Sequence, residues 1–171
     1  MPQILPAHDP QAINLAAEAL RRGELIVMPT DTVYGVAAWP WEDAFVSRLY
    51  EAKGRPEEKA IPLLVGSAAQ LGQVTQAMPA GAQRLAQHFW PGPLTLVVPK
   101  HPSLPPAVSP YPTVGVRMPN HPDALALLRL TGPLAVTSAN RSGHPPARTA
   151  AEAAAQLGDA VAIILDAGTA P

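Results

Sequence analysis

The sequence contains no cysteine, which excludes disulfide bonds, a thiol nucleophile and a zinc site built from cysteines. It also lacks long apolar runs, since no stretch approaches the roughly 18 residues that a membrane-spanning helix needs. Its first residues do not show the basic segment followed by an apolar one that marks a secretory signal peptide. We therefore expect a soluble, cytoplasmic protein.

Common nucleotide and hydrolase motifs are also missing. The sequence has neither a G-x-x-x-x-G-K-[ST] phosphate loop nor a G-x-G-x-x-G dinucleotide motif. It has no H-E-x-x-H metalloprotease motif and no G-x-S-x-G nucleophile elbow. The five histidines are scattered, and three of them precede a proline. We expect them on the surface or in loops, and we predict no metal ion held by protein side chains.

The composition is that of a globular chain. Of the 171 residues, 47% are apolar and 15% are charged, which suits a single domain over residues 1–171 with a sizeable core. The net charge of −1 excludes a protein that is basic throughout and coats nucleic acid, but it allows a local basic cleft. The 22 prolines are dispersed, which predicts rigid loops instead of a proline-rich linker.

The most informative stretch is Glu24 to Val36, which reads E-L-I-V-M-P-T-D-T-V-Y-G-V. Leu25–Met28 has the length and apolar character of a buried strand, and Pro29 stops it because proline has no N–H to donate. Hydroxyls and a carboxylate follow at once. In an α/β protein, ligands bind at the edge of the sheet where the strands end. The same residues also favour a plain turn, and the pattern leaves both interpretations open.

Helical and strand patterns alternate along the rest of the chain, which predicts an α/β sandwich with a twisted, mixed sheet. Asp9 and Gly23 suit the two ends of the first helix, and Thr149 with Glu152 forms a capping box. Helices are predicted over residues 10–22, 41–53, 67–71, 79–89, 122–130 and 149–158. Strands are predicted over residues 25–28, 36–38, 61–65, 94–98, 113–118, 134–136 and 161–165. Residues 100–112 are predicted to form an irregular loop.

Four polar clusters each end an apolar segment. Together they offer three cations, many hydroxyls and few carboxylates, which suits an anionic ligand such as a nucleoside triphosphate or a carboxylate. The clusters are Thr30-Asp31-Thr32-x-Tyr34, Lys53-x-Arg55, Arg117, and Thr137-Ser138-x-Asn140-x-Ser142.

Each cluster also has a purely structural interpretation. Lys53 and Arg55 follow a helix, where cations complement the helix dipole. Arg117 follows alternating apolar positions on a strand, and a structural Asp or Glu could be the partner that it needs there. Ser138 and Asn140 could simply shape the turn before Gly143.

The clusters lie in segments that resemble the YrdC-like family, the threonylcarbamoyl-AMP synthases. The resemblance covers nearly the whole chain, and its specificity lies in the combination of motifs. Gly66 is a departure, because some relatives have histidine there. The matching segments are P-T-D-T-V-Y-G at Pro29–Gly35, K-G-R-P at Lys53–Pro56, W-P-G-P-L-T at Trp90–Thr95, V-R-M-P-N-H-P at Val116–Pro122 and T-S-A-N-R-S-G at Thr137–Gly143.

The resemblance implies a twisted, mixed sheet with flanking helices and a concave, positively lined cleft. It implies a nucleotidyltransferase that joins L-threonine, bicarbonate and ATP into threonylcarbamoyl-AMP and releases pyrophosphate. A partner transferase complex would then move the threonylcarbamoyl group onto an adenosine of certain tRNAs, and contact with tRNA or other double-stranded RNA is a further implication. Mg²⁺ would arrive with ATP, and no tightly bound organic cofactor is implied.

The same resemblance assigns roles to residues. The family's catalytic signature falls on Lys53, Arg55, Ser138 and Asn140, and these four with Ser142 would bind the nucleotide. The threonine pocket would draw on Thr30, Thr32, Tyr34, Arg117 and Thr137. Asp31 is the nearest spare carboxylate, and we do not predict it to be a direct metal ligand.

Two other functions compete with the synthase. One is a non-catalytic RNA-binding module, which the intact K-x-R and S-x-N pairs and the near-neutral charge disfavour. The other is a relative that forms a carbamoyl-adenylate, although such proteins usually carry extra zinc or acylphosphatase modules.

Overall fold

A computed structural model describes residues 1–56 and 59–171. Within these residues the chain forms one eight-stranded sheet in the order β1-β8-β2-β3-β7-β4-β6-β5. Parallel pairing joins β1 to β8, β8 to β2 and β4 to β6, and the other neighbours are antiparallel. This confirms the predicted mixed sheet. The strands are β1 Gln3–Pro6, β2 Leu25–Met28, β3 Gly35–Ala38, β4 Leu63–Leu64, β5 Leu96–Pro99, β6 Thr113–Arg117, β7 Leu134–Ser138 and β8 Val161–Asp166.

Two helices begin at the side-chain caps that the sequence predicts. Asp9 accepts a hydrogen bond from the Gln11 amide at 2.9 Å, and Thr149 accepts one from the Glu152 amide at 3.1 Å. The capping box is modified, because Glu152 accepts from the amide of Arg148 instead of that of Thr149. The helices are α1 Pro10–Arg21, α2 Asp43–Lys53, α3 Leu71–Val74, α4 Ala80–Phe89, α5 Pro122–Thr131 and α6 Ala150–Leu157.

Strand β2 is buried on both faces, as its continuous apolar run predicts. Leu25 and Val27 belong to the apolar cluster that includes residues of α2 and α6. Ile26 and Met28 belong to the opposite cluster, which includes residues of α1 and α5. Because successive side chains of a strand point to opposite faces, one short strand joins both halves of the core.

Three strands meet where the polar stretch begins. Met28, the last residue of β2, is paired with Gly35, and Gly35 is paired with Ser138 at the end of β7. Gly35 is required here, because a Cβ atom at this position would lie 2.6 Å from Cγ1 of Val136. This register brings the segment after β2 next to the segment after β7.

The predicted bounds of three strands need correction. β4 has two residues, because Pro62 cannot donate to the ladder. β5 begins at Leu96, since the carbonyl of Leu94 accepts from the Trp90 indole. β7 extends to Ser138 by pairing with β3, so the serine of the S-x-N pair is itself a strand residue.

Candidate active site

The turn after β2 is held together by Thr30. Its hydroxyl donates to the carbonyl of Val33 at 2.5 Å and accepts from the amide of Thr32 at 3.2 Å. The hydroxyls of Thr30 and Thr32 are 3.1 Å apart. Thr30 therefore has the turn-forming role that the sequence left open, and Thr32 is the hydroxyl that reaches across the sheet.

Arg117 at the end of β6 faces this turn. It forms an ion pair with the carboxylate of Asp31. Its Nη1 atom lies 3.3 Å from the Thr32 hydroxyl, and its Nε donates to the carbonyl of Gly92 at 3.0 Å. The side chains of Arg117 and Asp31 are only 13% and 15% exposed. The structural carboxylate that the sequence allowed as a partner of Arg117 is therefore Asp31.

A cavity of about 200 Å³ opens between these elements. The sequence did not single out Thr95, Leu64 or Val136 among its walls, and only the W-P-G-P-L-T segment offered a signal for Thr95. Continuing the register of β5 and β6 by one residue places Thr95 opposite Arg117. The predicted site residues that line the cavity are Thr30, Thr32, Tyr34, Arg117, Thr137 and Ser138.

Lys53 joins the end of α2 to the end of β7. Its side chain is 3% exposed, and its ammonium group donates to the carbonyl of Ser138. Nζ also lies 3.4 Å from the Ser138 hydroxyl and 3.5 Å from Oδ1 of Asn140. Burial, and secondarily the neighbouring Arg55 guanidinium, lowers the pKa of Lys53 to about 8. The two predicted motifs therefore meet through Lys53.

The segment after β7 wraps around this lysine. The Asn140 amide group donates to the carbonyls of Arg141 and His144 at 2.8 and 2.9 Å. The backbone amide of Ser142 donates to the Lys53 carbonyl at 2.8 Å, whereas the Ser142 residue is exposed. Asn140 thus shapes the turn, as its structural interpretation predicts, and at the same time faces the Lys53 ammonium.

The guanidinium of Arg55 has fewer hydrogen-bond partners in the described part of the chain than the ammonium of Lys53. Its Nη2 donates to the carbonyl of Ala60 at 3.1 Å. Its Nε is buried and has no hydrogen-bond partner among the residues that the structure describes. A buried N–H without an acceptor is costly, so an acceptor supplied by a ligand would stabilise it.

The hydroxyl group of Tyr34 forms hydrogen bonds within the protein. Its hydroxyl donates to the carbonyl of Gly168 at 2.6 Å and accepts from the amide of Ala167 at 2.9 Å. Burial raises the pKa of the Tyr34 phenol. Tyr34 lines the cavity, but its hydroxyl binds the C-terminal segment of the chain, and this engagement limits its predicted role toward threonine.

The positive lining of the cleft stays a prediction. Of the three predicted cations, Arg117 lines the cavity but is paired with Asp31, and Lys53 contacts the lining residue Ser138. In the described part of the chain, no three His, Cys, Asp or Glu residues are grouped so that they could hold a metal ion. None of the described helices is long and apolar enough to cross a membrane.

Comparison with known proteins identifies the fold and the family. A family model for Sua5, YciO and YrdC proteins, described as "Telomere recombination", matches residues 18–171. The chain belongs to this family. The YrdC-like resemblance inferred from the motifs is therefore confirmed.

Relatives of the chain are similar over nearly all of it. A Mycobacterium tuberculosis protein is 47% identical over 164 residues, which are 95% of this chain and 76% of that protein. A Bacillus subtilis protein named threonylcarbamoyl-AMP synthase is 42% identical, covering 96% of this chain and 48% of its own length. The chain thus spans about half of the Bacillus relative.

A solved structure shares the fold. The crystal structure of Pyrococcus abyssi Sua5 complexed with L-threonine superposes with a TM-score of 0.94 at 37% identity. The match covers 99% of this chain and 51% of the Pyrococcus chain. The fold of the whole chain described above is therefore that of one half of this protein.

Proposed function

We propose that the chain is an L-threonylcarbamoyladenylate synthase, a nucleotidyltransferase that forms threonylcarbamoyl-AMP and pyrophosphate from L-threonine, bicarbonate and ATP. The observation that carries the proposal is the meeting of Lys53, Ser138 and Asn140 beside a cavity that presents Arg117. The names of relatives support it, as does the complex of Pyrococcus abyssi Sua5 with L-threonine.

The chemistry needs no protein nucleophile. The threonine amine bonds to the carbon of carbon dioxide and gives up a proton to form a carbamate. When bicarbonate is the source of the carbon dioxide, its C–OH bond breaks and the released hydroxide takes up that proton as water. A carbamate oxygen then bonds to the α-phosphorus of ATP, while the bond from that phosphorus to the bridging oxygen breaks and pyrophosphate leaves with the electron pair. Such a reaction depends on positioning and on charge stabilisation, which suits a site of cations, hydroxyls and amides.

The contacts in the structure refine the roles implied by the resemblance. Arg117 would bind the threonine carboxylate, with Thr32 and Thr137 beside it. Ser138 would contact the α-phosphate or the carbamate. Arg55 has the unsatisfied buried donor, so we assign it a direct phosphate contact.

Lys53 contributes in two ways in this scheme. Its charge would attract the phosphates, and its ammonium orders Ser138 and Asn140 through direct contacts. Asn140 and Ser142 complete the turn that faces the nucleotide. Thr30 would shape the threonine pocket through the turn that it holds, and Tyr34 would shape it by attaching the C-terminal segment beside it.

Magnesium enters this scheme as part of the ATP substrate. Asp31 contacts the cavity residue Arg117, and this ion pair makes it a poor metal ligand. Phosphate oxygens and water would therefore supply the coordination of the ion.

The product defines the partners that we propose. A mixed anhydride of a carbamate and AMP is reactive, so a transferase complex acting on tRNA would consume it. Contact of this chain with tRNA or other double-stranded RNA, and a cytoplasmic location, belong to the same proposal.

The test is pyrophosphate release from ATP with bicarbonate present, scanned across amino acids. We expect release that depends on L-threonine and falls at least about tenfold in Ser138→Ala and in Lys53→Ala. Ser103→Ala, on an exposed loop, is the matched control and should keep full activity.

The same assay separates the competing functions. If no amino acid stimulates release while RNA still binds, the non-catalytic RNA-binding module replaces the synthase. If release depends on carbamoyl phosphate instead of threonine and bicarbonate, the chain forms a carbamoyl-adenylate.

A further inference from the structure

Arg117 has three protein contacts although it faces a ligand cavity. Its guanidinium contacts the Asp31 carboxylate, the Thr32 hydroxyl and the Gly92 carbonyl. A guanidinium has five N–H donors, so three contacts leave two donors for a ligand. Two N–H groups suffice for one carboxylate, so Arg117 can still bind a ligand while it keeps its protein contacts.

Asp31 differs from Thr32 and Arg117 in its position relative to the cavity. Thr32 and Arg117 both line the cavity of about 200 Å³, and Asp31 is not among its walls. Asp31 therefore acts on a bound ligand through Arg117. What it changes is the charge that the cavity presents, because the ion pair turns a cation into a neutral pair.

We propose that Asp31 is a specificity-determining residue, which makes the Arg117 cavity accept the carboxylate of a zwitterionic amino acid and reject free inorganic anions. The proposal rests on the proposed function, because phosphate-bearing substrates, bicarbonate and pyrophosphate would all occur next to this cavity during the reaction. An unpaired arginine would bind any of them.

The discrimination follows from charge balance. Arg117 and Asp31 together carry no net charge, so a carboxylate that docks on Arg117 leaves one negative charge uncompensated. An amino acid compensates it with its own α-ammonium group. Inorganic phosphate has no such group, and Pro62, Leu64 and Val136 on the walls of the cavity carry no charge to replace it. The Lys53 ammonium contacts the wall residue Ser138, but it is buried and already hydrogen-bonded to the Ser138 carbonyl. A partly buried, unpaired charge is unfavourable, so the ion pair discriminates against the anion.

The experiment compares the wild type with Asp31→Asn, which keeps the shape of the side chain and removes its charge. Binding of inorganic phosphate is measured by calorimetry without nucleotide, and L-threonine binding is then titrated at increasing phosphate concentration. We expect Asp31→Asn to bind phosphate at least about tenfold more tightly than the wild type, and phosphate to compete with threonine.

Three variants make the result specific. Asp31→Glu keeps the charge and should retain the wild-type discrimination against phosphate. In Asp31→Asn combined with Arg117→Gln, the gained phosphate binding should disappear, which separates this cavity from Lys53 and Arg55. Asp159→Asn removes an aspartate that is 82% exposed at another cavity and should change neither titration.

Equal phosphate affinity in the wild type and Asp31→Asn overturns the proposal, as does a gain that survives removal of Arg117. If Asp31→Asn does not fold, as judged by circular dichroism, Asp31→Ser takes its place in the same titrations. A wild-type protein that fails to bind threonine counts against the proposed function. The phosphate comparison still decides whether the charge of Asp31 sets the anion affinity of Arg117.

Discussion

At the scale of single residues, the environment of Lys53 links its charge to the shape of the site. Its ammonium contacts the Ser138 carbonyl and hydroxyl and the Asn140 amide oxygen. Only the charged form supplies three N–H donors and a positive charge. Loss of the proton would therefore weaken both the attraction for phosphate and the order of the turn after β7.

A pH titration of ATP binding tests this link. The pKa of Lys53 is lowered to about 8, so the ammonium loses its proton as the pH rises through that value. We expect ATP affinity, measured without threonine, to fall above pH 8 with an inflection near that value. The inflection should be absent from Lys53→Met, and Lys100→Met, a lysine outside the site, should keep it. An unchanged inflection in Lys53→Met would assign the titration to another group.

The effect of the Lys53 titration on folding stability has the opposite sign to its effect on ATP binding. The unfolded chain holds the Lys53 proton up to its ordinary pKa of 10.5, whereas the folded chain releases it near 8. Between these values the unfolded state binds more protons, so the contribution of Lys53 to stability increases as the pH rises. Weaker ATP binding above pH 8 would therefore not reflect unfolding caused by this residue.

Sequence could predict some of these residue contacts and not others. The resemblance to the YrdC-like family implied that Lys53, Ser138 and Asn140 share a site, whereas residue type alone left a structural interpretation open for each of them. The Asp31–Arg117 pair joins positions that lie 86 residues apart, and only the packing of the sheet selects Asp31 over other carboxylates. The bond of the Tyr34 hydroxyl to Gly168 is equally non-local.

At the scale of elements, strand β3 controls the distance between the two halves of the site. It lies between β2 and β7, and its Gly35 faces Met28 on one side and Ser138 on the other. The apolar run of β2 and its stop at Pro29 were readable from the sequence. The length of β7 was not, because its last two residues become strand only by pairing with β3.

Gly35→Ala tests the close approach of β3 and β7. The added methyl group would lie 2.6 Å from Cγ1 of Val136, which is too close for both groups to keep their positions. Either the Val136 side chain or the backbone of the two strands must give way, so we expect a loss of about 1–3 kcal/mol in the free energy of unfolding, measured in urea. Val136 lines the cavity, so threonine-dependent pyrophosphate release should also weaken.

Gly81→Ala is the matched control. Gly81 lies in α4 with no atom within 4 Å of the added methyl group, so alanine should keep or slightly raise stability by up to about 1 kcal/mol. Equal stability of Gly35→Ala and Gly81→Ala would contradict the tight register of β3 and β7.

At the scale of the whole molecule, the C-terminal segment returns to the centre of the sheet. The Tyr34 hydroxyl binds Gly168 and Ala167, and Ala170 exchanges backbone and side-chain hydrogen bonds with Arg148. This segment closes a second cavity of about 180 Å³, which shares Thr30 and Tyr34 with the first. Alternating helices and strands predicted an α/β sheet. The strand order, which places β8 between β1 and β2, depends on non-local pairing that no local pattern encodes.

Tyr34→Phe tests whether this attachment supports the site. The variant loses the bonds to the Gly168 carbonyl and from the Ala167 amide, so we expect a loss of about 1–3 kcal/mol in stability. Amide exchange at Ala167 should accelerate, and threonine affinity should fall because Thr30 and Tyr34 line both cavities. Tyr50→Phe is the control, since the single O–H of that buried tyrosine lies within hydrogen-bond distance of the Lys59 and Ala107 carbonyls, away from the C-terminal segment. It should lower stability while leaving Ala167 exchange unchanged. If Tyr34→Phe leaves Ala167 exchange unchanged, Tyr34 does not hold the C-terminal segment, and its contacts with Arg148 remain as the attachment.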